Sequence, residues 1–329
     1  ADLSNLARVY LQTAYLTGLE ELAKRYDNLS TVPDNFAIIG MGKLGGHELN
    51  FGSDLDVIFV YQETEEELLP AGELVSFYAK LSQLMYELTS RMTSAGYAYK
   101  IDTDLRPEGA SGVLVKSIQG YEKYFSSRAR VWEQQAMTRA GFVAGNRQAG
   151  ENFIKVAQEF TYRSKLEYGS LIEISRLRER MEKELAKEFA KGKNVKLGFG
   201  GLADIEFTVQ ILQMMHGKKN PRLRETNTLA AVAQFNALGM LDHGESECLR
   251  KNYLFLRNLE CVLRIINPAS TNHLPREKGE LLVLAKLLGY GEKDIEDPAG
   301  KLMEDYDQNT KEVRAFYRKT IDTLLRTSL

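Results

Sequence analysis

The chain has 329 residues, of which 43% are hydrophobic and 27% are charged, and its formal net charge is −2 at pH 7. This composition is typical of a soluble globular protein, and the length favours two domains. The small net charge excludes bulk attraction to nucleic acid, and no apolar run reaches the roughly 20 residues that a transmembrane helix needs. We therefore expect a cytoplasmic protein that binds neither nucleic acid nor membranes. The start at Ala1 rather than Met predicts a fragment of a longer protein.

The first part of the chain alternates predicted helices and strands. Apolar residues at helical spacing predict a helix over residues 3–26, and the apolar run at 36–39 predicts a buried strand. The run at 55–61 predicts a second strand. Residues 65–95 are predicted to be helical, with an interruption at 69–72, where a proline stands.

Further short strands are predicted at 97–101, 113–115 and 141–144. Residues 170–189 have the spacing of a helix with Arg and Glu three and four positions apart, and nearly everything after Gly201 is predicted to be helical. The expected fold is α+β and helix-rich overall, with a mixed-sheet catalytic domain over 1–165 and a helical bundle over 166–329. We place the boundary within 160–200, where charge is high and apolar periodicity is thin.

Two aspartates mark the start of the second predicted strand. Asp54 and Asp56 are two residues apart, so in an extended chain their carboxylates point to the same face. Two like charges held this close are unfavourable unless something neutralises them. Mg²⁺ binds through one or two carboxylates and completes its coordination with water and substrate phosphates. The pair therefore predicts metal-assisted phosphoryl or nucleotidyl transfer.

A glycine-rich loop precedes the aspartate pair. Gly40-Met-Gly-Lys-Leu-Gly-Gly46 follows the first strand, and its glycines suit a backbone that approaches phosphates closely. The loop lacks the Gly-Lys-Ser/Thr ending of a P-loop. It does match the Gly-x-Gly-x-x-Gly pattern of dinucleotide-binding folds, but those have an acidic residue about 20 positions further on. Here the acids come as a pair within a strand, so we interpret this match as accidental.

Together these residues carry a specific resemblance. The string Gly40-Met-Gly-Lys-Leu-Gly-Gly-His-Glu-Leu-Asn-Phe-Gly-Ser-Asp-Leu-Asp-Val-Ile-Phe-Val60 resembles the signature of glutamine synthetase adenylyltransferases. That family belongs to the nucleotidyltransferase superfamily, which includes DNA polymerase beta. The resemblance implies a polymerase-beta-like fold for the first domain.

Later segments also resemble this family. Asp102-Thr-Asp-Leu-Arg-Pro-Glu-Gly109 resembles its Asp-x-x-Leu-Arg-Pro-x-Gly segment, and Trp132-Glu-Gln-Gln-Ala-Met-Thr-Arg-Ala140 resembles a Trp-Glu-x-Gln-Ala block. Gly200-Gly-Leu-Ala-Asp-Ile-Glu-Phe207 resembles a third segment. In the third segment Asp204 suits a helix N-cap, and Asp204 together with Glu206 suits a second binding surface. In the second, Arg139 suits either a carboxylate partner or a phosphate contact.

The resemblance assigns roles to individual residues. Nucleotidyltransferases use two acids from Asp-x-Asp and a third from a neighbouring strand, so Asp54, Asp56 and Asp102 are the candidate catalytic and metal-binding residues. Asp104 lies on the same predicted strand face as Asp102, so geometry leaves both open as the third acid, and we favour Asp102. The candidate nucleotide-binding residues are Gly42, Lys43, Gly45, Gly46, Ser53 and Arg106. For Arg106, a salt bridge within the domain is equally compatible with the sequence.

The implied reaction is AMP transfer from ATP to a tyrosine hydroxyl of glutamine synthetase, with two Mg²⁺ ions and release of pyrophosphate. The segments resemble the adenylylating half of the family more than the half that removes AMP by phosphorolysis. Removal stays open, because both halves use the same metal site. The resemblance also implies the PII signal protein as a partner of the full-length enzyme.

Three further functions compete with AMP transfer or removal. The first is a PII uridylyltransferase. The Gly-Lys-Leu-Gly-Gly string at 42–46 argues against it. The second is an inactive module that only binds PII or glutamine synthetase, and the intact set of aspartates argues against it. The third is an RNA nucleotidyltransferase, which the absence of a basic stripe disfavours.

Overall fold

The computed structural model describes residues 2–24, 34–63, 71–92, 94, 96–164, 166–267, 272–291 and 295–327. The chain divides into two compact units. The first unit comprises Ala1–Arg163 together with Arg224–Asn227, and the second comprises Ser164–Leu223 and Thr228–Leu329. The first unit thus ends near the predicted boundary, but it also contains four residues that the sequence assigned to the helical domain.

The first unit combines helices with a five-stranded sheet. Its helices are α1 (Asp2–Ala23), α2 (Gly42–Gly45), α3 (Ala71–Ser90), α4 (Ile118–Ser127), α5 (Val131–Met137) and α6 (Arg147–Thr161). Its strands are β1 (Phe36–Gly40), β2 (Leu55–Tyr61), β3 (Ile101–Asp102), β4 (Val115–Ser117) and β5 (Gly141–Gly145).

The sheet is mixed, and β2 lies inside it. The order is β3-β2-β1-β5, and β4 also pairs with β2. β1 is antiparallel to both β2 and β5, whereas β3 and β4 are parallel to β2. Both faces of the sheet are covered, because alternate residues of β1 and β2 belong to two different hydrophobic clusters. One cluster contains residues of α1 and α3, and the other contains residues of α4, α5 and α6.

Among the residues described in the second unit, the regular elements are helices, apart from an isolated β-bridge between Asn194 and His273. Its helices are α7 (Tyr168–Arg180), α8 (Glu188–Lys191), α9 (Leu202–His216), α10 (Thr228–Ala237), α11 (His243–Ile266), α12 (Lys278–Ala285) and α13 (Pro298–Thr327). One hydrophobic cluster joins residues of α9, α10, α11, α12 and α13. None of the helices in the described part of either unit is long and apolar enough to cross a membrane.

These observations confirm a helix-rich chain with a mixed sheet, and most predicted elements. The strands predicted at 36–39, 55–61 and 141–144 and the helix predicted at 170–189 are confirmed in place, although a π-helical turn at Met181–Leu185 and a break before α8 interrupt that helix. The predicted strand at 113–115 lies two residues later, at Val115–Ser117. The helix predicted at 65–95 is confirmed over Ala71–Ser90, and it ends at Ser90, earlier than predicted. The predicted interruption is wrong at residues 71–72, which are helical, and its other residues lie within 64–70, outside the described ranges.

The strand predicted at 97–101 is wrong except at Ile101. Only Ile101 and Asp102 pair with β2, opposite Leu55 and Asp56. The chain before Leu55 turns at residues 51–52 and so offers no extended partner further back. A short apolar run therefore becomes a strand only as far as its neighbour is extended.

Candidate active site

Asp54, just before β2, and Asp56, its second residue, lie where the helices α4, α5 and α6 no longer cover one face of the sheet. Ile58 and Val60 point into the core that α4, α5 and α6 cover, and Asp56 has the same parity along the strand. Asp56 is half-buried, and Asp54, just before the strand, is exposed. Leu55 between them is buried on the opposite face. The alternation of the strand thus brings the two carboxylates to the same face of the sheet, at the N-terminal end of β2.

Asp102 is adjacent to this pair through strand pairing. In the parallel β2–β3 ladder its partner in register is Asp56, so the two side chains are neighbours on one face. The backbone N–H of Leu55 donates to the Lys100 carbonyl at 2.8 Å, which holds the two strand starts together. The three predicted catalytic residues therefore come from neighbouring positions of two adjacent strands.

Asp102 and Asp104 differ in what holds them. The Oδ1 atom of Asp102 accepts a hydrogen bond from the backbone N–H of Asp104 at 2.8 Å, which turns the chain just after β3. Asp104 therefore leaves the strand, and 72% of its side chain is exposed. Strand register brings Asp102 next to Asp56 and gives Asp104 no such place.

The glycine-rich segment, predicted as a loop, forms the single-turn helix α2 (Gly42–Gly45) capped by Gly46, here called the turn, and it lies against Asp56. The N–H of Met41 donates to the Asp56 carbonyl at 2.8 Å. Gly42 has φ of +50°, and a Cβ atom on it would lie 2.7 Å from Oδ2 of Asp56. Only glycine combines this backbone conformation with such a close approach. The predicted nucleotide-binding turn and the predicted metal-binding carboxylate are therefore in direct contact.

Most of the other predicted nucleotide-binding residues lie in this turn or in the bend before β2. Gly45 packs so tightly on the Arg139 carbonyl that no side chain fits there. The Lys43 carbonyl accepts from the N–H of Glu48 at 2.7 Å. Ser53 accepts from the N–H of Asn50 at 3.2 Å, closing the bend before β2. These contacts fix the backbone of the turn, and nucleotide binding by its residues stays a prediction.

Arg106 holds the loop that follows β3. Its guanidinium donates to the carbonyls of Thr103, Ala110 and Gly112 at 2.9, 3.0 and 3.2 Å, and to the Thr103 hydroxyl at 2.7 Å. The nearest oxygen of Asp104 is 3.8 Å from Nη1, and only 11% of the Arg106 side chain is exposed. These bonds favour a role within the domain, as the sequence allowed, and the phosphate contact stays a prediction.

A second arginine near the turn shows contacts that sequence analysis missed. Arg139 lies 3.2 Å from Glu48, with 5% and 7% of the two side chains exposed, and it also donates to the Thr226 carbonyl. Asn227 donates to the Gly46 carbonyl at 3.1 Å. For Arg139 the sequence allowed a carboxylate or a phosphate, and the structure gives it the carboxylate. Nothing in the sequence marks Thr226 or Asn227.

Asp204 does not have either of the roles that its sequence suggested. Gly201, not Asp204, is the N-cap of α9, and Asp204 is fully buried. Its oxygens lie 2.6 Å from Arg178 and 2.9 Å from Arg314, and one accepts from the N–H of Gly200 at 3.1 Å. Burial raises the pKa of this carboxyl, and the two guanidinium groups oppose that rise. The hypothesis of a binding surface at Asp204 is therefore wrong.

The three aspartates near the start of β2 are the predicted set of metal ligands. Among the described residues, no three His, Cys, Asp or Glu side chains lie close enough together to hold a metal ion by themselves. Asp54, Asp56 and Asp102 therefore do not form a metal-holding cluster by themselves. Mg²⁺ binding by these residues stays a prediction, in which substrate phosphates and water supply the remaining ligands.

Comparison with known proteins gives matches over most of the chain. The family model described as glutamate-ammonia ligase adenylyltransferase matches residues 1–156, and the model described as GlnD PII-uridylyltransferase matches residues 172–321. A bifunctional glutamine synthetase adenylyltransferase/adenylyl-removing enzyme of Streptomyces avermitilis is 36% identical over 312 residues, which is 93% of this chain and 30% of that protein. The enzyme of the same name from Methylococcus capsulatus is 35% identical over 78% of this chain and 27% of its own length. The chain thus spans about 30% of the curated relatives it matches.

Proposed function

We propose that this chain belongs to the family of glutamine synthetase adenylyltransferases, which it resembles over most of its length, and that it transfers AMP from ATP to a tyrosine hydroxyl of glutamine synthetase. The observation that carries the proposal is the contact between the Gly42–Gly46 turn and Asp56, with Asp102 beside Asp56 in strand register. A phosphate-binding turn next to carboxylates is what nucleotidyl transfer needs.

The donor set at this site fits Mg²⁺. Asp54 and Asp56 offer carboxylate oxygens that are accessible from solvent, and Asp102 offers a third at the neighbouring strand. Hard oxygen ligands in an open arrangement suit Mg²⁺ that arrives with a triphosphate. Two bound ions would lower the pKa of the incoming hydroxyl and offset the charge of the leaving pyrophosphate.

The residues of the chain carry the remaining tasks. The turn presents its backbone to the triphosphate, and Lys43 adds a positive charge beside it. Asp102 takes the proton of the tyrosine hydroxyl as the hydroxyl oxygen bonds to the α-phosphorus of ATP. The bond between the α-phosphorus and the bridging oxygen then breaks, and pyrophosphate leaves. Tyrosine keeps the AMP group.

We propose the same nucleotidyltransferase superfamily for the fold of the first unit. Its support is the order of a strand, a glycine-rich turn and an Asp-x-Asp strand within a mixed sheet. The helical second unit, which we propose to be a bundle, is then the place to look for the surface that grips glutamine synthetase. The match of residues 172–321 to the PII-uridylyltransferase model supports a PII protein as a partner of the longer enzyme.

Removal of AMP is the second candidate function, because the name of the relatives covers both directions. In that reaction a phosphate oxygen bonds to the phosphorus of the AMP group, the bond from that phosphorus to the tyrosine oxygen breaks, and ADP and the free tyrosine hydroxyl are the products. The same carboxylates serve both directions. We favour addition, because the segments around Trp132 and Gly200 resemble the adenylylating half.

One assay separates these functions. The chain is incubated with labelled ATP, Mg²⁺ and unmodified glutamine synthetase, and AMP on tyrosine is measured; in parallel, adenylylated glutamine synthetase and phosphate are tested for ADP. Label on tyrosine that disappears with Asp54→Ala and persists with Asp322→Ala, an exposed aspartate of α13, supports the proposal.

Transfer that survives Asp54→Ala would refute the mechanism. Release of ADP without incorporation of AMP would identify the removing half instead. Tight binding of glutamine synthetase with neither reaction would identify a module that only binds it.

A further inference from the structure

The glycine-rich turn is backed by a segment from a distant part of the chain. Arg224–Asn227, here called the strap, belongs to the first unit, although the residues on either side of it in sequence belong to the second. Its sequence, Arg-Glu-Thr-Asn, has none of the features of a binding motif. Its contacts, however, converge on the turn.

The strap is attached at its start to α6 and the residue after it. The guanidinium carbon of Arg224 lies 5.0 Å from the ring centroid of Tyr162, a cation–π distance. Its Nη1 atom also lies 3.5 Å from Oε1 of Gln158. The beginning of the strap therefore has a fixed place in the first unit.

The middle of the strap is held by a buried charge pair. The Thr226 carbonyl accepts a hydrogen bond from Arg139, whose guanidinium also pairs with Glu48 at 3.2 Å. Because both charged side chains are almost completely excluded from solvent, separating them would leave a buried charge without compensation. The pair thus links the strap, the segment that follows the turn and the residues just after α5 through direct contacts.

The end of the strap reaches the turn itself. Asn227 Nδ2 donates to the Gly46 carbonyl at 3.1 Å. A Cβ atom on Gly46 would lie 2.9 Å from the Thr226 carbonyl oxygen, so the two backbones are in close contact. At the opposite end of the turn, the backbone N–H of Met41 donates a hydrogen bond to the Asp56 carbonyl. The turn is therefore held at both ends, by β2 at one and by the strap at the other.

We propose that the strap positions the turn for the triphosphate, with Asn227 and Arg139 as positioning residues. A turn with this many glycines has high conformational freedom when it is not restrained. Restraining it before the nucleotide arrives lowers the entropy cost of binding. The strap then acts on ATP affinity, and leaves recognition of glutamine synthetase and the transfer step unchanged.

This inference rests on the proposed function, and a matched pair of variants in the full chain tests it. Asn227→Ala removes the bond to Gly46, whereas Asn236→Ala removes the same type of bond, 3.2 Å long, to the Leu241 carbonyl in the second unit. Both asparagines are half-buried. We measure hydrogen–deuterium exchange of peptides covering 42–46, and KM for ATP and for glutamine synthetase.

Loss of one hydrogen bond predicts a change of about three- to tenfold in Asn227→Ala. Exchange in the turn becomes faster by that factor, and KM for ATP rises by it, with KM for glutamine synthetase and kcat unchanged. Asn236→Ala changes neither the exchange nor KM for ATP. If Asn227→Ala does not fold, Asn227→Asp takes its place, since it keeps the shape and lacks the donor.

Unchanged exchange in the turn of Asn227→Ala, or an equal rise of KM in Asn236→Ala, overturns the inference. A wild-type chain that transfers no AMP and binds no ATP would refute the proposed function. The exchange comparison would still decide whether the strap holds the turn, so the two failures are distinguishable.

Discussion

Two glycine-rich segments of this chain are followed by aspartates, yet the structure gives those aspartates opposite surroundings. After the first segment, at residues 40–46, Asp54 is exposed and Asp56 is half-buried near the start of β2. After the second, Asp204 is fully buried within 3 Å of two arginines. The first pair can receive a ligand from solvent, whereas Asp204 already has its counter-charges within the protein.

The difference lies in what the glycines make room for. Gly42 lets the backbone approach the carboxylate of Asp56 while leaving that carboxylate partly accessible. Gly200 instead packs against the backbone of Thr310 in α13 and donates its N–H to Asp204. A glycine-rich segment therefore indicates a close approach, and the partner of that approach decides between a binding site and a packing contact.

The largest expected effect is on stability, at Asp204. Asp204→Asn leaves two buried guanidinium groups without a full counter-charge, so the free energy of unfolding should fall by about 3–5 kcal/mol. Chemical denaturation measures it. The control is Asp307→Asn. Asp307 pairs with Lys193, and 44% and 43% of the two side chains are exposed, so this substitution should lower the free energy of unfolding by no more than about 1 kcal/mol. Equal losses in both variants would contradict the contrast between buried and exposed pairs.

The reverse pattern is expected at Asp56. Asp56→Asn keeps the shape but removes a charge that the proposed metal and triphosphate need, so AMP transfer should fall by about 1,000-fold. Because Asp56 is only half-buried, the free energy of unfolding should change by less than about 1 kcal/mol. A variant that loses stability and keeps transfer would place Asp56 in the same class as Asp204.

The third acid comes next in size. Asp102 is in register with Asp56, whereas Asp104 is exposed and off the strand, so Asp102→Ala should lower kcat by about 100-fold and Asp104→Ala by less than about threefold. Single-turnover transfer of AMP measures both. If only Asp104→Ala abolishes transfer, the assignment of Asp102 is wrong.

A smaller effect is expected at Arg106. Lysine at position 106 cannot reproduce the four hydrogen bonds that Arg106 makes to the loop. Arg106→Lys should therefore lower the free energy of unfolding by about 1–2 kcal/mol and leave KM for ATP little changed. Denaturation and ATP titration are measured on the same samples. A KM that rises at unchanged stability would instead show the phosphate contact.

The smallest effect concerns His47, next to the turn. Burial and the nearby Arg8 lower the pKa of His47, whose Nε2 atom lies 2.8 Å from an Arg8 nitrogen. A histidine with a lowered folded-state pKa loses stability as pH falls through its unfolded-state value of about 6.5. The melting temperature should therefore drop slightly more between pH 8 and pH 5.5 in the wild type than in His47→Gln. Equal drops would show that the contact does not titrate.

Local pattern predicted the centre of the first unit well. The strands at 36–40 and 55–61 are apolar runs bounded by glycine and by aspartate, and both are central strands that any partner would bury. The placement of Asp102 next to Asp56 followed from the family resemblance and is consistent with the observed register. The two strands depend on neighbouring residues, which a sequence displays directly, whereas the placement of Asp102 joins distant positions and needed the resemblance.

Features that depend on distant residues were not predictable. The pairing of Arg139 with Glu48 joins positions 91 residues apart, and the bond from Asn227 to Gly46 joins positions 181 apart. The burial of Asp204 depends on Arg314, far along the chain. In each case a polar residue was interpreted through its own segment, whereas its partner came from another helix or loop.

The strap also affects how this protein can be dissected. A fragment that ends at Arg163 contains every predicted catalytic residue and the whole sheet, yet it lacks Thr226 and Asn227. In such a fragment Arg139 loses the Thr226 carbonyl and Gly46 loses the Asn227 amide. The first unit is compact in space but discontinuous in sequence, so no single cut of the chain can separate it intact from the second.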